Sequence, residues 1–345
     1  MATAPDHSST DQPPSLRAAK YYYIFKDILK VDPKRHWEFC QRIQTKWEQE
    51  FSKDDVLAER MVFYRKVSAL TLVWVTDNLG GKMPDDVSQK ETYRLLSELY
   101  DHDDDSESSL ATAPASPSLD LPVSSDFETN AEKDRASQLQ LKQHFFALKR
   151  LLKAAYNKED LSEELIKSVH RDLMRGLKTE KGELINAGEY RSGPVSAGYH
   201  SFPDHKYIPE SITSIVEKYN CKLKSKHDMF ELASWLLFRT VSLHPFEDGN
   251  GRLCRLLWCY SLTRDGLPFP LTLNDGHNKA HDHYVQCIIK DRRDISCSDY
   301  PCLTALTVVS IKEKWDNFIS NLSFEYPKGY EVITQWLKEC KFTDL

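Results

Sequence analysis

Between residues 243 and 257 the chain reads Leu-His-Pro-Phe-Glu-Asp-Gly-Asn-Gly-Arg-Leu-Cys-Arg-Leu-Leu. His244 carries the side chain whose ordinary pKa lies nearest working pH, so it is the candidate proton acceptor. Gly249 and Gly251 flank Asn250, which lets the backbone turn tightly and lets a ligand approach closely. The segment lies between two apolar helical runs, so it closes one helix and opens the next. Free N–H groups and the helix dipole at that opening form an anion site. Arg252 and Arg255 are three residues apart and share a face of the second helix. Two guanidinium forks beside a row of amides suit a polyphosphate. Asp248 is placed to hold a Mg²⁺ that bridges phosphate oxygens. Each feature alone is more often structural: a helix cap, an ordinary turn, a solvated arginine face. Together they describe a nucleotide site.

The rest of the chain has to position that segment. Across 345 residues, 46 Lys and Arg stand against 52 Asp and Glu, a formal net charge of −6. This argues against nucleic acid as a partner, because phosphate neutralisation calls for a basic excess. The eight cysteines are scattered, without a CxxC pair, which points to reduced thiols in a reducing compartment. The N-terminus lacks the basic-then-apolar profile of a secretory signal, and the apolar run at 67–75 is far too short to span a membrane. The expectation is a soluble protein of the cytoplasm, with the nucleus also open.

Residues 1–18 are Ser-, Asp- and Pro-rich and are expected to be disordered. Helical spacing marks 19–100: Trp37, Cys40, Ile43 and Trp47 fall on one face, Thr92, Leu95, Leu96 and Leu99 repeat the pattern, and Gly80-Gly81 and Pro84 break it. Residues 101–135 read as an acidic, Ser/Pro-rich linker. From 136 to 345 the chain is densely patterned. Leu139, Phe145, Leu148, Leu151 and Leu152 predict an amphipathic helix, and 161–177, 208–222, 227–243, 251–264 and 304–322 predict others. Residues 185–206, punctuated by Gly188, Gly193, Pro194 and Gly198, predict a hairpin or flap. The fold class is therefore all-α with one short β excursion.

His-Pro-Phe-Glu-Asp-Gly-Asn-Gly-Arg-Leu-Cys-Arg matches the HPFx(D/E)GNGRxxR signature at every defining position, and in this the chain resembles the Fic (filamentation induced by cAMP) family. The resemblance spans about 138–320. Leu165, His170 and Gly176 are similar to the helix before the family's flap, and residues 187–191 to the flap's entry. It implies a Fic-type helical bundle with a β-hairpin flap, here carrying an N-terminal helical extension. It further implies a protein adenylyltransferase that moves AMP from ATP, with Mg²⁺, to a Ser, Thr or Tyr hydroxyl of a target protein. In that reading His244 is the base and Asp248 the Mg²⁺ ligand, while Gly249, Asn250, Gly251, Arg252 and Arg255 hold the phosphates and Phe246 anchors the loop. Arg191, Val195, Tyr199 and Phe202 of the flap bind the target as an added strand.

Two regions depart from the family pattern. Where relatives carry a Tyr-Tyr pair and an Asn at the nucleobase, this chain has His283-Tyr284 and Asp291. A UMP or phosphocholine donor therefore stays open. His277, His281 and His283 also have the spacing of metal ligands on a helix, without a second cluster to complete a site. Many relatives inhibit themselves through (S/T)xxxE(G/N). The nearest match here is Asp77-Asn78, with Val73 in place of the hydroxyl residue, so inhibition by Asp77 is either weakened or absent. A helical adaptor that kept the loop but lost the chemistry is the alternative of another class. The intact motif ranks it second.

Overall fold

The computed structural model describes residues 33–78, 94, 96–97, 130–179, 182–197, 200–273, 278–293 and 301–342. The expected disordered N-terminus, most of the linker, the Gly80-Gly81 break and three of the four residues of the second apolar repeat lie outside them. Among the described residues the fold is helical, with one two-stranded sheet.

Two helices form its axis. Helix α6 (Met229–Leu243) is apolar on almost every side, which is the pattern of a helix enclosed by others. Asp228 starts it by accepting from the amides of Phe230 and Glu231. Helix α7 (Asn250–Arg264) follows after the motif loop and packs against α6, with its residues buried from Leu256 through Thr263. Helix α3 (Asn130–Tyr156) lies on α7 and on α4 (Glu163–Met174). Helix α5 (Ile208–Lys224) covers α6, and α9 (Pro301–Glu325) closes the other side between α8 (Asn278–Arg293) and α1 (Pro33–Gln49). Helices α2 (Asp55–Asn78) and α10 (Pro327–Glu339) complete the packing.

The N-terminal helices belong to the same core as the rest. Trp37, Cys40, Ile43 and Trp47 are all buried on the face that their spacing predicts, and Phe39 is buried beside them. Trp37 meets Phe230 of α6 edge-on at 5.4 Å, while Trp47 meets Trp315 and Phe318 of α9 at 5.8 and 5.6 Å. Aromatic pairs in this geometry add to the burial of their area.

Two expectations are corrected. Helix α3 begins at Asn130, inside the stretch assigned to the linker. Leu139, placed on the buried face by spacing, is 43% exposed, while Phe145, Leu148 and Leu151, about two to three turns further on, are buried. The hairpin appears where predicted but is minimal: β1 (Ser196–Ala197) and β2 (His200–Ser201) pair antiparallel, Ser196 opposite Ser201. No helix among the described residues is long and apolar enough to cross a membrane.

Trp315 is the hinge of the aromatic cluster: 1% exposed, it touches Trp47, Phe269 and Phe318. Trp315→Ala is expected to lower stability by about 3–5 kcal/mol through lost burial and the cavity left behind. Urea denaturation measures it, and a loss below about 1 kcal/mol contradicts a shared core.

Candidate active site

The motif loop must leave α6, reverse, and enter α7 within a few residues, and it does so through two left-handed positions. His244 closes α6 with φ 52° and ψ 61°, its amide donating to the carbonyl of Thr240 at 3.0 Å. Gly249 opens α7 at φ 75°, where a non-glycine residue is strained. Space requires the glycine as well, since a Cβ there would stand 2.5 Å from Met174 Sδ.

Three side chains hold the loop between these points. Asn250 folds back on Phe246, accepting from its amide at 3.0 Å and donating to its carbonyl at 2.9 Å. His170 of α4 bridges two segments. Its Nδ1 accepts from the amide of Gly188 at 2.9 Å, so the proton of the neutral ring sits on Nε2, which donates to the Asp248 carbonyl at 2.9 Å. The same ring stacks on Phe246 at 3.7 Å and 8°. Arg191 is the third. Its amide donates to the Pro245 carbonyl, and its guanidinium donates to the carbonyls of His244 at 2.8 Å, Gly193 at 2.7 Å and Pro203 at 2.5 Å.

Arg191 therefore corrects an expectation. It is 6% exposed and committed to the backbone on both sides of the hairpin, so it ties the flap to the motif loop and does not meet a target. Val195 is half-buried at the flap's entry, where its carbonyl accepts from the amide of Phe202, and Tyr199 lies outside the described residues. Phe202 stacks face to face on the His244 ring at 3.9 Å and 20°.

Helix α4 is capped by Ser162 and α6 by Asp228, but no side chain caps α7. The first amides of a helix have no partner within it, and here no capping side chain meets them. Asn250 offers the site only its amide, since its side chain is spent on Phe246. Arg252 is buried, with Nη2 against Met174 Sδ at 3.2 Å and Nη1 shielded from solvent without a hydrogen-bond acceptor. Arg255 is half-buried, its guanidinium carbon 6.0 Å from the centre of the Tyr284 ring. Asp248, half-buried, accepts from the Gly249 amide through Oδ1 at 2.6 Å. A single carboxylate at the mouth of an anion site is the protein ligand set that Mg²⁺ uses when substrate phosphates supply the remainder, so the residues fit that ion.

The expected nucleobase residues divide. Tyr284 is buried beside Arg255, and burial pushes its phenol above the usual range, so it stays a neutral donor. Asp291 is a correction. Both carboxylate oxygens accept from the first amides of α9, Cys302 and Leu303, each at 2.9 Å, so it caps a helix instead of reading a base. His283 is half-buried on α8, and the Asp77 side chain, His277 and the His281 side chain lie outside the described residues.

The two imidazoles are electrically suppressed. Burial first, and then the cationic neighbours Arg191 and Arg292, take His244 from 6.5 to about 4, against the favourable carbonyl of Val241 and the carboxylate of Asp248. Burial first, and then Arg252 and Arg171, takes His170 to about 4, against the Asp248 backbone bond and carboxylate. Both rings are neutral at pH 7, which is the form a proton acceptor needs. The unfolded chain takes up protons below its own pKa near 6.5 while the folded chain resists until about 4. The contribution to stability is thus complete above pH 6.5 and is lost as pH falls through about 4. A shift of that size is worth about 3 kcal/mol per ring at the limit. Unfolding by urea at a series of pH values from 7 to 4 is expected to show this fall. His170→Asn is expected to flatten it while lowering stability at pH 7, and parallel curves for the two proteins contradict the assignment.

Sequence and fold comparisons agree with the geometry. The family described as Fic/DOC matches residues 160–262. A Fido domain-containing protein of Dictyostelium discoideum is 33% identical over 144 residues, which is 41% of this chain and 98% of that protein. The protein adenylyltransferase Fic of Aedes aegypti is 28% identical over 145 residues, again 41% of this chain but only 27% of that protein. A Fic domain-containing signaling protein of Bacteroides thetaiotaomicron superposes with a TM-score of 0.58 at 20% identity, over 80% of this chain and 95% of that one. With the family match over residues 160–262 and the Dictyostelium discoideum relative matched over 98% of its length, this chain belongs to the Fic/DOC family.

Proposed function

We propose that this protein is an adenylyltransferase that moves AMP from ATP to a hydroxyl of a target protein. The observation that carries the reading is the uncapped start of α7, with Arg252 and Arg255 on its flank and the imidazole of His244 at the end of the preceding helix. The Aedes aegypti relative bears the name of that activity.

The residues divide the work as phosphoryl-transfer chemistry requires, with little covalent participation and much positioning. The amides of residues 250–252 and the two arginines hold the triphosphate and stabilise charge as it moves to the leaving group. When bound through Asp248, Mg²⁺ supplies further neutralisation of phosphate charge. The target hydroxyl oxygen forms a bond to the α-phosphorus, its proton passes to His244, and the bond from the α-phosphorus to the bridging oxygen breaks to release pyrophosphate. His244 is a weak base in the free protein because it is buried and because Arg191 and Arg292 add to the effect of burial. Phosphates placed beside it oppose those cations and raise its pKa toward working pH. The exposed hairpin, Ser196–Ala197 with His200–Ser201, offers an edge along which an extended target segment adds as a strand, so main-chain bonds set the register.

With ATP labelled on the α-phosphate, Mg²⁺ and cell lysate, the protein is expected to label protein targets, and γ-label is expected to transfer nothing. His244→Ala is expected to lower labelling at least about 100-fold, the scale of a lost general base. Equal labelling by both proteins removes the base assignment. Absence of labelling by either favours an adaptor.

A further inference from the structure

Arg292 stands near the end of α8, in a run of charged residues that reads as a solvated helix terminus. The fold turns it inward. Its guanidinium carbon lies 5.8 Å from the centre of the Phe202 ring, the same ring that stacks on His244 at 3.9 Å and meets His200 edge-on at 4.9 Å. Its Nε is shielded from solvent and has no hydrogen-bond acceptor. Its charge acts on Tyr284, whose ring also faces Arg255. The adjacent carboxylate, Asp291, is spent on the amides of α9. A cation is thus held between the flap, the candidate base and the tyrosine beside Arg255. A buried donor without an acceptor costs about 1–3 kcal/mol, a cost that folds tolerate where a ligand supplies the missing partner.

We propose that Arg292 is a third substrate-binding arginine of this site, which takes an anionic phosphate oxygen of the nucleotide on the flap side of His244, while Arg252 and Arg255 hold the others. The proposal rests on the adenylyltransferase reading and deepens it: a triphosphate would meet cations from two helices, α7 and α8, and its arrival would bring α8 and the flap onto one ligand. Burial lowers the pKa of both His200 and His244, and the charge of Arg292 adds to that lowering in each, as a guanidinium near both rings does.

The test is calorimetric titration of ATP, AMP and adenosine, with Mg²⁺ present, into the wild-type protein, Arg292→Gln and Arg292→Lys. A charged hydrogen bond of ordinary strength predicts that Arg292→Gln weakens ATP by about tenfold to a hundredfold, and AMP or ATP alone according to which phosphate is held. Adenosine affinity is expected to be unchanged. Arg292→Lys keeps the charge but loses the planar fork, so it is expected to recover part of the loss. Wild-type binding with Arg292→Gln equal to it overturns the proposal and leaves the adenylyltransferase reading standing. An equal loss for adenosine also overturns it, because Arg292 then acts only by supporting Phe202. A wild-type protein that binds no nucleotide overturns both.

Discussion

A reversal between two helices, completed in the space of the motif loop, is the constraint on which the remainder of the structure depends. It needs left-handed backbone at His244 and at Gly249, and only the second is a glycine. For His244 the conformation is an uphill choice, sustained because the surroundings over-determine it. Arg191 does most of this. It bonds to the carbonyl of His244 and, through its amide, to that of Pro245, so the flap and the loop share one buried guanidinium. His170 does the corresponding task at the other end, linking Gly188 to Asp248 through a single fixed tautomer. The imidazole of His244 is thereby presented on rigid elements, and rigid presentation is what gives a proton acceptor its value.

The electrostatics follow from the same reversal. Because α7 starts at a glycine with no capping side chain, its positive end stays open instead of being satisfied internally, as those of α4 and α6 are. Arginines then add to that field from the helix itself. Both imidazoles are held neutral far below their ordinary range, by burial first and then by cations, Arg191 and Arg292 at His244 and Arg252 and Arg171 at His170. Among the described residues, buried donors at Arg252 and Arg292 have no hydrogen-bond acceptor.

Much of this was legible in the sequence, and the reasons differ by residue. The motif residues could be read because their roles are local: glycines at a turn, arginines one turn apart and a histidine at a helix end declare themselves by spacing. The faces of α1 and α6 could be read from period and apolarity. What could not be read depends on contacts distant in the chain. Arg191, at the entry to a flap, looks like a target-facing cation, yet its guanidinium also bonds to His244, 53 positions away. Asp291 sits at a nucleobase position by resemblance, but the start of α9 claims it. Arg292 resembles any solvated helix end, and no periodic pattern marks it. Leu139 misleads in the opposite direction: its spacing marks it for the buried face, yet it is 43% exposed.

The central claim is that the start of α7 is an anion seat for a nucleotide's phosphates with His244 beside it. A crystal structure with a non-hydrolysable ATP analogue and Mg²⁺ tests this most directly. The account predicts phosphate oxygens within hydrogen-bond distance of the amides of residues 250–252 and of Arg252 and Arg255, with the α-phosphorus next to His244. Nucleotide bound elsewhere, with these amides and arginines in contact only with solvent, would contradict it.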